Sequence, residues 1–110
     1  MSFDTAQTTN PAPNKAITLA ESATTFVVLS DVMTVTGDGG GNTVATITGG
    51  RNGQILVLLF VDTNVTITDT DAATVNTVNL SASFTSAANT ALTLIHNGTK
   101  WLETARSVNG

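Results

Sequence analysis

Between a glycine-rich turn at Gly49–Gly53 and a polar corner at Asp62–Asn64 lie seven apolar residues without a break, Ile55-Leu56-Val57-Leu58-Leu59-Phe60-Val61. The run is too short for an independent helix and far below the ~18 residues of a membrane span. Its β-branched and aromatic content suits a pleated strand. After the corner the chain alternates, Val65-Thr66-Ile67-Thr68, as a strand with one face in a core does. The stretch therefore predicts a strand buried on both faces leading into a half-buried one, at the centre of a β core.

The rest of the chain follows the same grammar. Strands are expected at residues 16–19, 25–29, 32–36, 43–47, 54–61, 65–68, 75–80, 83–85, 91–96 and 100–104, with Gly, Asn, Asp and Ser at the corners between them. No segment carries an apolar period of 3.6, so helix is not expected. Strands recurring every 8–12 residues or so indicate a sandwich, barrel or coil. At 110 residues the chain makes one domain, and it is short for a fully two-sheeted core of its own. Only 11% of its residues are charged, against about 25% in ordinary globular proteins. Thr, Asn and Ser take the charged residues' place, which suits strand faces covered by other chains. The expected fold class is all-β, with short strands in a β-helix-like or β-prism/sandwich arrangement, completed by homotrimerisation.

Several function classes are disfavoured. A net charge of −4 with four scattered basic residues, Lys15, Arg51, Lys100 and Arg106, is unlike the clustered cations that neutralise phosphates, so no nucleic-acid partner is expected. Without cysteine there is no disulfide framework, thiolate metal site or thiol nucleophile. The start, MSFDTAQTTNPAPNK, has neither a basic opening nor an apolar segment, so it does not read as a secretory signal; membrane insertion is not expected either. Residues 1–15, with both prolines, read as an extended arm or linker, and 16–110 as the β domain.

The C-terminal part is the most distinctive. Asn97-Gly98 between alternating apolar stretches signals a hairpin, followed by Trp101 and Glu103 on one face of a strand, then Arg106. In Gly53-Gln54-Ile55-Leu56-Val57-Leu58, Val65-Thr66-Ile67-Thr68-Asp69, Asn79-Leu80 to Phe84, Leu92-Thr93-Leu94 and Asn97-Gly98-Thr99-Lys100-Trp101-Leu102-Glu103, the sequence resembles a module of tailed-bacteriophage virion proteins found in tail fibres, tail spikes and capsid fibres. The likeness covers roughly residues 16–107; Leu102 departs from it, standing where an aromatic or polar residue often follows the Trp. The resemblance implies a stiff, β-rich homotrimer in a virion, made in the host cytoplasm. It would serve as a fibre, spike or capsid-surface decoration domain; the scarcity of acids, the lone histidine and the missing thiols disfavour an enzyme, and no cofactor is expected. Residues 1–15 are then an arm docking on other virion proteins. The expected trimer core is Ile55, Val57, Leu59, Val65, Ile67, Leu80, Phe84, Leu92 and Leu94. The competing reading is an adhesin for host-surface carbohydrate, using Trp101, Glu103 and Arg106 as a glycan or interface contact, together with the loop Gly37–Asn42; the preferred reading of these three is structural, with Trp101 plugging the end of the core and Arg106 pairing with Glu103 on the same or the next chain.

Other chemistry is thinly represented. Asp62, Asp69 and Asp71 offer oxygens, but the spacing lacks the glycine and glutamate of a calcium loop, and turn-capping carboxylates are the preferred reading. Glu21 and Glu103 are the only glutamates, and nothing pairs either with a second acid as glycoside hydrolysis needs. His96 is the lone histidine and would need symmetry-related copies to hold zinc. The glycine-rich stretch 37–42 lacks the Lys-Ser/Thr and helix of a phosphate loop.

Overall fold

The alternation in the sequence becomes eleven short strands in the computed structural model, which describes residues 14–109. They are β1 (Lys15–Thr18), β2 (Thr25–Val27), β3 (Val32–Thr36), β4 (Asn42–Val44), β5 (Thr46–Thr48), β6 (Ile55–Phe60), β7 (Val65–Ile67), β8 (Val78–Asn79), β9 (Phe84–Thr85), β10 (Thr90–His96) and β11 (Trp101–Val108). There is no helix among the described residues. The arm expected over residues 1–15 lies outside them except for its last two. Lys15 opens β1, and the Asn14 amide exchanges hydrogen bonds with the Thr34 hydroxyl at 2.9 and 3.2 Å.

The first half of the chain winds as a short solenoid. β1, β3 and β6 stack in parallel, with Lys15 beside Met33 and Val32 beside Val57. Across the core, β2 stacks on β5 and β4 on β7, also in parallel. The second half closes this coil with antiparallel strands: β10 pairs with β6, β11 with β10, and β9 with β7, while β8 adds to β11 in parallel. The result is a six-stranded sheet, in the order β1-β3-β6-β10-β11-β8, facing a three-stranded and a two-stranded sheet. Solenoid stacking and sandwich layering thus coexist.

Between the layers lies a core the chain builds by itself. Met33, Val35, Leu56, Leu58, Phe60, Leu92, Leu94 and Trp101 come from the large sheet, and Phe26, Val44, Ile47, Val65, Ile67 and Phe84 from the smaller ones. Burying a side chain of this size contributes about 1.5–3 kcal/mol. The chain is therefore long enough for two facing layers, contrary to expectation, because narrow coils need few residues per layer.

Three local expectations are also corrected. The run 55–61 is not buried on both faces: Leu56, Leu58 and Phe60 point inward, while Ile55 is 54% exposed and Val61 48%. The expected strand 43–47 is two, because the chain turns at Ala45, whose N–H donates to the Thr24 carbonyl, and passes from one small sheet to the other. The Asn97-Gly98 hairpin has a four-residue loop. The Asn97 carboxamide oxygen accepts from the N–H groups of Thr99 and Lys100, and Gly98 takes a φ of 100°.

The solenoid corners are held by buried polar side chains. Asn42, only 3% exposed, donates to the carbonyls of Ala20 and Ala23 and accepts from the Asp38 N–H, tying one corner to the next. A Cβ at Gly37 would lie 2.7 Å from that of Asn64, so only glycine lets these corners stack so closely.

Candidate functional site

The end of the core near the β10–β11 hairpin is built around Trp101. Its ring is fully buried, its indole N–H donates to the Ile47 carbonyl at 2.9 Å, and His96 meets it edge-on with centroids 4.9 Å apart. The Gly98 N–H donates to His96 Nδ1 at 3.1 Å, which leaves the proton on Nε2, directed at the Asn76 carboxamide oxygen. Burial lowers the His96 pKa below its usual 6.5. Beside them Lys100, also buried, donates from Nζ to the carbonyls of Thr70 and Ala72, anchoring the loop between β7 and β8. In this arrangement the tryptophan has no face free to stack on a sugar.

Glu103 and Arg106 meet because β11 bulges opposite Thr93 and Leu94. The extra residue rotates the strand, so both Glu103, opposite Leu94, and Arg106, opposite Leu92, come to the core side. Their side chains form a 2.7 Å ion pair. Glu103 also accepts from the Ser81 N–H and hydroxyl, and Arg106 donates to the Ala82 carbonyl while its guanidinium sits 5.3 Å from the Phe84 ring centroid. Hydrogen bonding to Arg106 is the main reason that the Glu103 pKa falls to about 2, with the Ser81 contacts adding to it against the opposing effect of burial. The pair closes the sheet edge over Phe84.

The aspartates do local work. Asp62 accepts from the N–H groups of Gly37 and Asn64, and Asp69 from the Leu80 N–H. The loop 37–42 is tied internally, with Asp38 accepting from the N–H groups of Gly40 and Gly41. Among the described residues no group of three or more metal-ligating side chains gathers.

The outer face of the six-stranded sheet is largely aliphatic, with Ile55 exposed and Val57 and Leu59 half-buried. Ile55, Val57 and Leu59 of β6 lie there beside Val32 and Thr34 of β3, Ala91, Thr93 and Ile95 of β10, and Leu102 of β11. These registers place no charged side chain across the middle of the face. Of the nine residues expected at a trimer core, these three of β6 point outward. Val65, Ile67, Leu80, Phe84, Leu92 and Leu94 lie inside the chain's own core.

A family model described as the phage depolymerase C-terminal beta sandwich domain matches residues 13–102. The chain belongs to this family. The match runs from just before β1 through the first residues of β11, so it takes in the whole solenoid, the Trp101 plug and the outer face of the sheet. No curated protein and no solved structure matches the chain. As a phage depolymerase C-terminal β-sandwich domain it is a tail-associated structural component of the virion. Sequence reading missed the bulge at Thr104, which carries no marker residue, and the need for glycine at position 50 against Trp101 and His96.

Proposed function

We propose that this β-sandwich domain is a non-enzymatic building block of a phage fibre, spike or capsid-surface fitting that assembles as a homotrimer into a stiff appendage. The observation that carries the reading is the uncharged, aliphatic outer face of the six-stranded sheet, centred on Val57 and Leu59. Apolar side chains grouped on one sheet face mark interaction surfaces, and closed symmetric association is the usual way of covering one. The resemblance to trimeric virion modules favours three copies. The engagement of Asp62, Asp69 and Glu103 in backbone and ion-pair contacts supports a structural role over a catalytic one. Residues 1–15 would link the domain to other virion proteins. Native mass spectrometry tests the assembly: a species of three times 11.2 kDa is expected, and a folded monomer persisting at micromolar concentration would overturn it.

A further inference from the structure

The chain holds three Asn-Gly pairs, at residues 52–53, 97–98 and 109–110, and the described residues include both members of the first two. An asparagine before glycine can close on itself: the glycine nitrogen, on losing its proton, attacks the asparagine side-chain carbon and forms a cyclic imide. Glycine permits this because no side chain crowds the approach. The fold decides whether that nitrogen has somewhere to send its proton, and whether the attacked carbonyl has donors to hold the charge it gains.

At Asn97 both needs are met. The Gly98 N–H donates to His96 Nδ1 at 3.1 Å, so a neutral imidazole nitrogen aims its lone pair at the proton that must leave, within the reach required of a general base. The far nitrogen of that ring faces the Asn76 carboxamide oxygen at 3.4 Å, an acceptor placed to steady the ring when it becomes cationic. Asn97 Oδ1 accepts from the Thr99 N–H at 3.0 Å and the Lys100 N–H at 2.9 Å, two fixed donors where negative charge develops. Its Nδ2 makes no hydrogen bond among the described residues, and Asn97 is exposed, so the leaving group faces water. Asn52 has none of this. The Gly53 N–H donates to the His96 carbonyl, which is no base at neutral pH, and no N–H among the described residues donates to the Asn52 carboxamide.

We infer that the β10–β11 hairpin is a self-modifying site at which Asn97, with His96 as general base, closes to a succinimide with Gly98 and then opens to aspartate or isoaspartate. In the first step the bond from Gly98 N to Asn97 Cγ forms as the Gly98 proton passes to His96 Nδ1. The tetrahedral carbon then collapses: the Cγ–Nδ2 bond breaks, His96 returns the proton to the leaving nitrogen, and ammonia departs. Water next opens the imide. Addition at Cγ gives aspartate, and addition at the backbone carbonyl gives isoaspartate, which carries an extra methylene in the main chain. Either product adds one negative charge to a chain of net charge −4, at the hairpin that leads into the buried Trp101. Burial favours the neutral imidazole, the form that can take the proton.

The test is peptide mapping by mass spectrometry of the full chain kept at neutral pH, in buffer and in urea, with amide, imide, aspartate and isoaspartate forms counted at Asn97 and Asn52. In the folded protein Asn97 should convert at least about tenfold faster than Asn52, a modest share of what a general base contributes. It should also convert faster folded than in urea, where the two sites should converge. His96→Gln removes the base and should slow Asn97 about tenfold while Asn52 keeps its rate. Loss of the fold in that variant would show as both sites moving to the urea rate, and a second substitution then carries the test. Asn76→Gly suits the φ of 66° at that position and removes only the carboxamide facing His96, so it should slow Asn97 about threefold. Conversion of Asn97 no faster than of Asn52, slower conversion folded than in urea, or unchanged rates in the folded variants would each overturn the inference.

Discussion

Gly50 shows how much of this fold rests on a side chain that is not there. A Cβ at this position would lie 2.4 Å from Trp101 Cζ2 and 2.8 Å from His96 Cδ2, inside two rings that are themselves buried. Its backbone is not left-handed, so the requirement is space alone. Gly50→Ala should cost about 1–3 kcal/mol as overpacking, read as a lower denaturation midpoint, whereas Gly39→Ala, with open space around it, should leave stability nearly unchanged. The same pocket makes the protein sensitive to acid. His96 is held neutral by burial and by the Gly98 N–H that occupies Nδ1. A group whose folded pKa is depressed stabilises fully above its unfolded value and loses that contribution as pH falls through the folded one. Stability should therefore begin to decline below pH 6.5, and NMR should find the imidazole titrating below that value. A second decline belongs to Glu103 between about 4.5 and about 2. Glu103→Gln should flatten that step and leave the first in place.

At the scale of the strand, β6 separates two kinds of burial that its sequence mixes. Leu58 faces the core and is fully enclosed, while Leu59 faces outward beside Thr34 and Ala91. Leu58→Ala should destabilise the protein by about 2–5 kcal/mol in denaturant titrations. Leu59→Asp should cost the isolated fold no more than about 1 kcal/mol, yet break self-association as seen by sedimentation. This pair explains what could be read in advance. The positions of β1, β2, β3 and β6 and of the Asn97-Gly98 hairpin were legible because turn residues punctuate the apolar stretches. The inward and outward faces of β6 were not, since both are aliphatic and period 2 has nothing to contrast. The turn at Ala45 was hidden because Val44-Ala45-Thr46-Ile47 carries no glycine or proline; what bends it is a hydrogen bond to Thr24, a partner far off in sequence. The Glu103–Arg106 pair was legible from the two charges, but the bulge that brings it about within one chain was not, since spacing along an ideal strand puts those residues on opposite faces.

Over the whole molecule, the two layers satisfy their own interior and leave the aliphatic outer face of the large sheet uncovered. The internal core makes the single chain able to fold, so association should add to stability and not create it. Mass action then gives a measurable signature. When only the folded state associates, stability rises with the logarithm of protein concentration over the dissociation constant. The thermal midpoint of the natural sequence should climb as concentration is raised from about 1 to 100 μM, a range over which tight coverage of the folded state is worth about 2.7 kcal/mol. Leu59→Asp should unfold at a midpoint that does not move with concentration, while Leu58→Ala should unfold earlier yet keep the upward slope. If the natural sequence shows no slope while sedimenting as a monomer, the outer face is covered by something other than its own copies. The aliphatic row Ile55, Val57 and Leu59 would then belong to a contact with another virion protein.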